Sequence, residues 1–506
     1  MRPDRQSRRN FLSRGSALAA ALAAAGIPAV ASAMMPRDLG NMGAVQALRA
    51  MRRGDVTAEQ YAGFCLERAQ ALEGLGAFIA LDPARVMAAA RAADRWRIEG
   101  KPLGALHGLP IAVKDNIDAA GYATTAATPA LRNNRPDRDA PVLARLLEAG
   151  AIVLGKTNMH ELAFGYTTNN SAYGTARNPY DSSRSPGGSS GGTAVAVAAR
   201  IAPAGLGTDT VGSVRVPAAM CGIAGFRASV GRYSAEGVVP LSHTRDTVGP
   251  MARSVADLIL LDAIMAGDAV HADKVSLRGL RLGIARAYYW TDLDAEVEAI
   301  AMAAVAKLQN AGVEIVDIDL VSLPADAFET RRCRAIQLYE VRSDIGKYLA
   351  RTGTAIDFEA VAAGISTTAV KTEFERFVLG PQAPSRENYD AVMAEYRPGL
   401  QAAYREAFEH GLDAIVFPMT QVAAQDVGSE VEFEANGRKF PMFYLGRNAD
   451  PGSCVGLPGV SLPAGLTAAG LPVGIGLDGP FGTDRRLLAI AAAVEGVLGR
   501  IPAPPV

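Results

Sequence analysis

The sequence predicts an α/β fold on three observations. Stretches with helical spacing of apolar residues alternate with short, continuous apolar runs of strand length. Hydrophobic residues make up 49% of the 506 against 20% charged, which is enough to bury at least one large core. A more charged, mostly helical stretch, 324–410, interrupts the alternation and reads as a cap or insertion between two halves of one sheet. At roughly 150 residues per domain the length would suggest about three domains, but large α/β enzymes often arrange this much chain around one sheet.

The N-terminus differs in composition from the rest of the chain. Arg2, Arg5, Arg8, Arg9 and Arg14, against the single acid Asp4, precede an Ala-rich apolar stretch from Ala17 to Val30 that ends in Ala31-Ser32-Ala33. Ser7-Arg8-Arg9-Asn10-Phe11-Leu12 fits a twin-arginine signal, so residues 1–33 are expected to direct export to the periplasm and to be removed. The mature chain, 34–506, is then mildly acidic.

Ala84 to Arg97 is an amphipathic helix, followed by the Gly/Pro punctuation of Gly100 to Pro110. Pro110 to Lys114 reads as a buried strand, Pro141 to Ala149 as a helix, and Ala151 to Gly155 as a short strand ending in the turn Gly155-Lys156-Thr157-Asn158. Thr193 to Arg200 is an Ala/Val-rich helix behind a glycine loop, Ala204 to Thr208 a strand end, and Val255 to Met265 a helix. From Leu280 to Leu320 the pattern runs strand, helix, strand, with the helix over Ala295 to Asn310. After the insertion, Asp413 to Pro418 returns to a buried strand, Pro451 to Gly479 alternates short strands and turns, and Asp484 to Leu498 closes as a helix.

Several function classes are excluded by composition. Lys plus Arg (51) nearly cancels Asp plus Glu (52), and no basic run lies outside the N-terminus, so there is no electrostatic footprint for nucleic acid. No later stretch approaches the ~18 uninterrupted apolar residues of a membrane span. Cys65, Cys221, Cys333 and Cys454 are far apart, and His107, His160, His243, His271 and His410 are equally scattered. Neither set has metal-ligand spacing, and the cysteines are expected to be ordinary buried thiols rather than a disulfide scaffold.

The chemistry concentrates between Gly108 and Pro217. In Ser185-Pro186-Gly187-Gly188-Ser189-Ser190-Gly191-Gly192, glycine backbones and a helix start converge on two serines; without GxxxxGK[ST] the loop is no nucleotide cradle. A second serine loop, Thr208-Asp209-Thr210-Val211-Gly212-Ser213, carries small residues that let successive N–H groups point at one spot, as stabilising an oxyanion requires. No histidine is close in sequence to either loop. Lys114, directly after an apolar strand, can be desolvated there, lose its charge and act as base; otherwise it snorkels or pairs with Asp115.

Three segments, Gly108-Leu-Pro-Ile-Ala-Val-Lys114-Asp-Asn116, Gly187-Gly-Ser189-Ser-Gly-Gly192 and Gly207-Thr-Asp-Thr-Val-Gly-Ser213-Val-Arg215-Val-Pro217, resemble the three blocks of the amidase signature family. Gly155-Lys-Thr-Asn158, Asp246-Thr-Val-Gly-Pro250 and Gly470-Leu-Pro-Val-Gly474 extend the resemblance over nearly the whole mature chain. It implies a single large mixed β-sheet covered by helices on both faces, no cofactor, and a Ser-Ser-Lys triad. In that triad Ser213 would be the nucleophile, and Ser189, behind a cis peptide bond, would relay protons to neutral Lys114. The N–H groups of Thr210, Val211, Gly212 and Ser213 would form the oxyanion hole, while Ser190, Asp209 and Arg215 brace the loops. One departure stands out: Val211 replaces the first glycine of the family's Gly-Gly-Ser, where a β-branched residue does not readily take positive φ.

Asn158-Met-His-Glu-Leu-Ala-Phe-Gly165, Arg177-Asn-Pro-Tyr180, Pro203-Ala-Gly-Leu-Gly207 and Ala224-Gly-Phe226 are most similar to indoleacetamide and mandelamide hydrolases, which act on primary amides of arylacetic-type acids. Phe164, Tyr166 and Val211 would then line the acyl pocket, and the partner would be a small-molecule amide, with the protein a monomer or homodimer. The alternatives are another acyl specificity, such as peptide C-terminal amides or esters, and a silent binding protein on the same fold. The A subunit of tRNA amidotransferases shares the triad, but its cytoplasmic work is at odds with an export signal.

Overall fold

The structure, a computed structural model, describes residues 36–271, 273–320 and 332–506. The proposed export signal, 1–33, and the first residues of the predicted insertion, 324–331, lie outside the described residues.

The strands are β1 (Phe78–Leu81), β2 (Pro110–Lys114), β3 (Ile152–Thr157), β4 (Ala204–Asp209), β5 (Ala224–Arg227), β6 (Thr247–Ala252), β7 (Arg281–Ile284), β8 (Glu314–Asp317), β9 (Ala414–Pro418), β10 (Glu432–Ala435), β11 (Arg438–Pro441), β12 (Gly459–Leu466) and β13 (Pro472–Asp478). Eleven of them form one sheet in the order β1-β3-β2-β4-β6-β5-β12-β13-β9-β7-β8, and β10 and β11 pair as a separate hairpin. β2 runs parallel to β3 and β4, and β7 to β8 and β9, while β4–β6 and β12–β13 are antiparallel, so the sheet is mixed as expected. β2, β4 and β9 are buried throughout, which is why β2 and β9 read as near-continuous apolar runs rather than alternating ones.

Two elements differ from the reading of the sequence. β3 continues through Gly155, Lys156 and Thr157, where a turn was expected, because β1 pairs antiparallel with those residues. Lys156 tolerates this position because its ammonium donates to Ile117 O (2.7 Å) and Thr124 Oγ1 (3.1 Å) and lies 3.6 Å from Asp115 Oδ1. The stretch after Ala449 opens with a helix, Asp450–Val455, that stops at Gly456 in the left-handed conformation (φ 85°), before β12 and β13.

The insertion leaves the sheet at its edge strand β8 and returns at β9, two places in, so it springs from one end of the sheet and not from between two halves. Its helices Arg332–Thr352, Phe358–Ala363 and Thr368–Phe377 bury Val341, Ile345, Phe358, Val361, Phe374 and Phe377 in a second hydrophobic cluster. The opposite wall of that cluster is Ala126, Leu131, Met159, Leu162 and Ala163, from the loops beyond β2 and β3. Burial of apolar surface therefore clamps the insertion over the ends of those strands. Polar anchors fix its register: Tyr348 Oη donates to Asp118 Oδ1 (2.8 Å), and Glu161 Oε2 accepts the Thr367 amide (2.7 Å). All four cysteines are free and buried, and no helix among the described residues is long and apolar enough to cross a membrane.

Candidate active site

β2 and β4 are parallel neighbours, with Ala112 opposite Gly205 and Val113 opposite Leu206, so Lys114 and Thr208 emerge side by side at their carboxyl ends. That end of a parallel α/β sheet is where ligand sites form. The glycine loop before the helix Gly191–Ala198 closes over β4. A Cβ on Gly207 would lie 2.7 Å from Ser190 Oγ, so only glycine lets the two segments approach this closely.

Lys114 is fully buried. Its Nζ donates to Ser189 Oγ at 2.7 Å and Thr208 Oγ1 at 2.8 Å, and lies 3.4 Å from Thr208 O. The Gly188–Ser189 peptide is cis. Burial brings the Lys114 ammonium down to about 7, against a weaker upward pull from Asp209 and Asp246. Asp115 is not its partner: that carboxylate faces Lys156 and accepts from the Thr125 hydroxyl. Asn116 Nδ2 donates to Thr208 Oγ1 (3.1 Å), so Thr208 links two residues of the first sequence block.

The two serine loops are tied by main chain, the Ser190 amide donating to Ser213 O at 3.1 Å, while Ser190 Oγ and the Thr208 amide lie 3.3 Å apart. Asp209, wholly buried, organises the second loop. It accepts from Gly212 N (2.7 Å), Val214 N (3.2 Å), Arg215 Nε (3.1 Å) and Arg227 Nη1 (3.1 Å). Burial alone would push its carboxyl up, but Arg215 and Arg227 override that and hold it well below the usual carboxylate range. Arg215 continues to Asp478 Oδ1 (3.2 Å) and Ser453 Oγ (2.7 Å). Ser190, Asp209 and Arg215 thus tie the two loops to each other and to β13.

The Gly212 amide is a correction to the expected oxyanion set. It is spent on Asp209, which leaves the amides of Thr210, Val211 and Ser213 as candidates. The positive φ of this loop falls on Gly212 (95°) and not on Val211, so the β-branched residue sits there without backbone strain. Thr210 is steadied by its own hydroxyl, which donates to Asp246 Oδ1 at 2.6 Å.

Ser213, Thr210 and Val211 open onto a pocket of about 500 Å³, counting its solvent-open mouth, which Phe164 and Tyr166 also line. Tyr166 Oη donates to Val211 O (2.9 Å), and the Phe164 ring packs on Phe374 of the insertion, centroids 4.6 Å apart. Ala163, Gly165 and Leu241 line it as well, and so do Arg334, Gln337, Phe443 and Asp450. The sequence reading missed these last four and Arg227, which only tertiary folding brings to the loops, and it gave no role to Thr208 and Asn116, whose contacts with Lys114 and with each other appear only in the fold. The same holds for His243, Glu340 and Asp344, whose ligand atoms lie within 4.8 Å of one another. There the carboxylates already accept from Tyr389 Oη (2.8 Å), the His243 amide (2.8 Å) and Lys347 Nζ (3.1 Å).

Known proteins resemble this chain over nearly its full length. Residues 62–488 match the Amidase family. Mandelamide hydrolase of Pseudomonas putida is 41% identical over 93% of this chain and 94% of its own. Indoleacetamide hydrolase of Agrobacterium vitis is 40% identical over 89% and 96%. Among solved structures, the peptide amidase of Stenotrophomonas maltophilia superposes with a TM-score of 0.78 at 31% identity, covering 92% of this chain and 98% of that one. By its sequence blocks, its sheet and these likenesses, the chain belongs to the amidase family.

Proposed function

We propose that this protein is a serine amidase that hydrolyses the primary carboxamide of an arylalkyl acid, of the mandelamide or indole-3-acetamide type, to carboxylate and ammonia through an acyl-enzyme. The observation that carries the reading is the buried Lys114 Nζ, 2.7 Å from Ser189 Oγ, with its ammonium brought down to about 7. An amine with that pKa is substantially neutral at neutral pH and has a lone pair for a proton.

In this reading Ser213 Oγ attacks the amide carbonyl carbon as its proton passes to Ser189, whose own proton passes to Lys114. The tetrahedral oxyanion is met by the amides of Thr210, Val211 and Ser213, held by the Asp209 and Asp246 contacts. Collapse breaks the C–N bond, and the protons return along the same chain to release ammonia. Water then attacks the acyl-enzyme by the same route, freeing the carboxylate and Ser213. The aromatic walls Phe164, Tyr166 and Phe443 and the two named relatives support a flat arylalkyl acyl group. Export through residues 1–33 belongs to the same proposal; unprocessed protein confined to the cytoplasm would contradict it.

Ammonia release across indole-3-acetamide, mandelamide, phenylacetamide, aliphatic amides and peptide C-terminal amides tests the reading. Arylalkyl amides should lead. The likeness to a peptide amidase favours a second reading, and peptide amides leading the panel would select it.

A further inference from the structure

The insertion contributes two residues to the pocket, each with a buried side-chain polar atom that no group among the described residues satisfies. Arg334 and Gln337 stand three residues apart on the helix Arg332–Thr352, a spacing that sets both side chains on one helix face, and both line the pocket that holds Ser213. Arg334 is 8% exposed. Its Nη2 is taken by Glu373 Oε2 at 2.5 Å, and its guanidinium lies over the Phe443 ring, 4.3 Å from the centroid. Among the described residues, Arg334 Nη1 has no acceptor and Gln337 Oε1 no donor, although both atoms are shielded from solvent. Buried polar atoms are ordinarily paired, and a donor and an acceptor left unpaired on two residues that line one pocket point to a ligand that pairs them once its entry shifts these side chains.

The pair also limits what that ligand is. A carboxylate would satisfy Nη1 but repel Gln337 Oε1 and the Asp450 carboxyl that shares the pocket, and the Arg334 charge is already balanced by Glu373. A plain hydrocarbon leaves both atoms unpaired. A hydroxyl accepts from one and donates to the other.

We propose that Arg334 and Gln337 form a polar clamp that selects amides whose acyl group carries a hydroxyl, which accepts from Arg334 Nη1 and donates to Gln337 Oε1. The inference rests on the arylalkyl reading above and makes it specific to hydroxylated acyl groups over their deoxy analogues.

The test is the ratio of kcat/KM for mandelamide and phenylacetamide, which differ by one hydroxyl, in wild type, Arg334→Lys and Gln337→Leu. Arg334→Lys keeps a cation for Glu373 but loses the second nitrogen of the fork, so the insertion stays anchored. The wild type should favour mandelamide by roughly ten- to a hundred-fold. Each variant should bring the ratio toward unity, with the loss concentrated on mandelamide, while thermal melts confirm folded protein. A wild type that turns over both amides equally, or a preference unchanged in both variants, overturns the clamp and leaves the arylalkyl reading standing. A wild type active only on aliphatic or peptide amides overturns the arylalkyl reading and the clamp together.

Discussion

The Gly212 amide donates to Asp209 Oδ1 at 2.7 Å, so the backbone just before the candidate nucleophile is held by a carboxylate. Asp209 in turn is fixed by Arg215 and Arg227, which makes the loop of Thr210 to Ser213 a rigid frame and not a flexible glycine turn. Rigid placement of donors is what an oxyanion site needs, since donors that must reorganise at the transition state stabilise it less.

Asp209→Asn tests that frame. The amide keeps an oxygen for Gly212 but loses the charge that aligns Arg215 and Arg227. Steady-state kinetics should show kcat reduced by roughly a hundredfold or more with KM little changed, because the misplaced donors act in the transition state. A raised KM with intact kcat would mean that Asp209 shapes binding instead.

The lysine sets the pH dependence. With burial bringing Lys114 down to about 7, kcat/KM should rise with pH through that value and level off on the alkaline side. Lys114→Arg should be as damaging as Lys114→Met, because a guanidinium stays charged. Stability carries the same sign. Between about pH 7 and the ordinary lysine value of 10.5, the unfolded chain holds a proton the folded one lacks, so wild-type stability gains with pH across that window. Chemical denaturation at several pH values should find this component missing in Lys114→Met.

Val211 should set acyl-group size. It lines the pocket beside Ser213 without backbone strain, so its methyls are free to limit the substrate. Val211→Gly should shift kcat/KM toward bulky α-substituted amides relative to small aliphatic ones by roughly ten- to a hundred-fold. An unchanged ratio with uniform loss would show that valine only stiffens the loop.

Away from the chemistry, Lys156 and Asp115 form a pair in which both partners are buried, 3.6 Å apart. Lys156→Met leaves the Asp115 carboxyl uncompensated and should cost about 3–5 kcal/mol of stability, read as a lower denaturation midpoint. A loss below about 1 kcal/mol would show that the Thr125 hydroxyl and nearby amides suffice for Asp115.

Much of this site is legible in the sequence because its parts are local. Pro110 to Lys114 is an apolar run that ends in a charge, and the glycine loops mark where backbone comes close to backbone. Lys114 and the two serine loops therefore stand out without the fold, while the roles expected of Lys114, Ser189 and Ser213 come from the family resemblance. What escapes is whatever depends on distant segments meeting. Thr208 in a buried strand looks like any β-branched residue until Lys114 is seen donating to it. β1 is four residues long and gains its identity from pairing with β3, which also turns the expected Gly155–Asn158 turn into strand. Arg334 and Gln337 sit in an amphipathic helix with nothing local to set them apart from surface polar residues. The family resemblance placed Gly212 in the oxyanion hole, but its amide could be assigned to Asp209 only once the carboxylate was located.

The proposed chemistry turns on acylation of Ser213 Oγ through a proton path to Lys114. The most direct test is to treat the wild type with a fluorophosphonate and locate the adduct by peptide mass spectrometry, with Ser213→Ala and Lys114→Met as companions. One adduct is expected, on Ser213, absent from Ser213→Ala and strongly slowed in Lys114→Met. An adduct on Ser189 or Ser190, or labelling of Ser213 at an undiminished rate without Lys114, would contradict it.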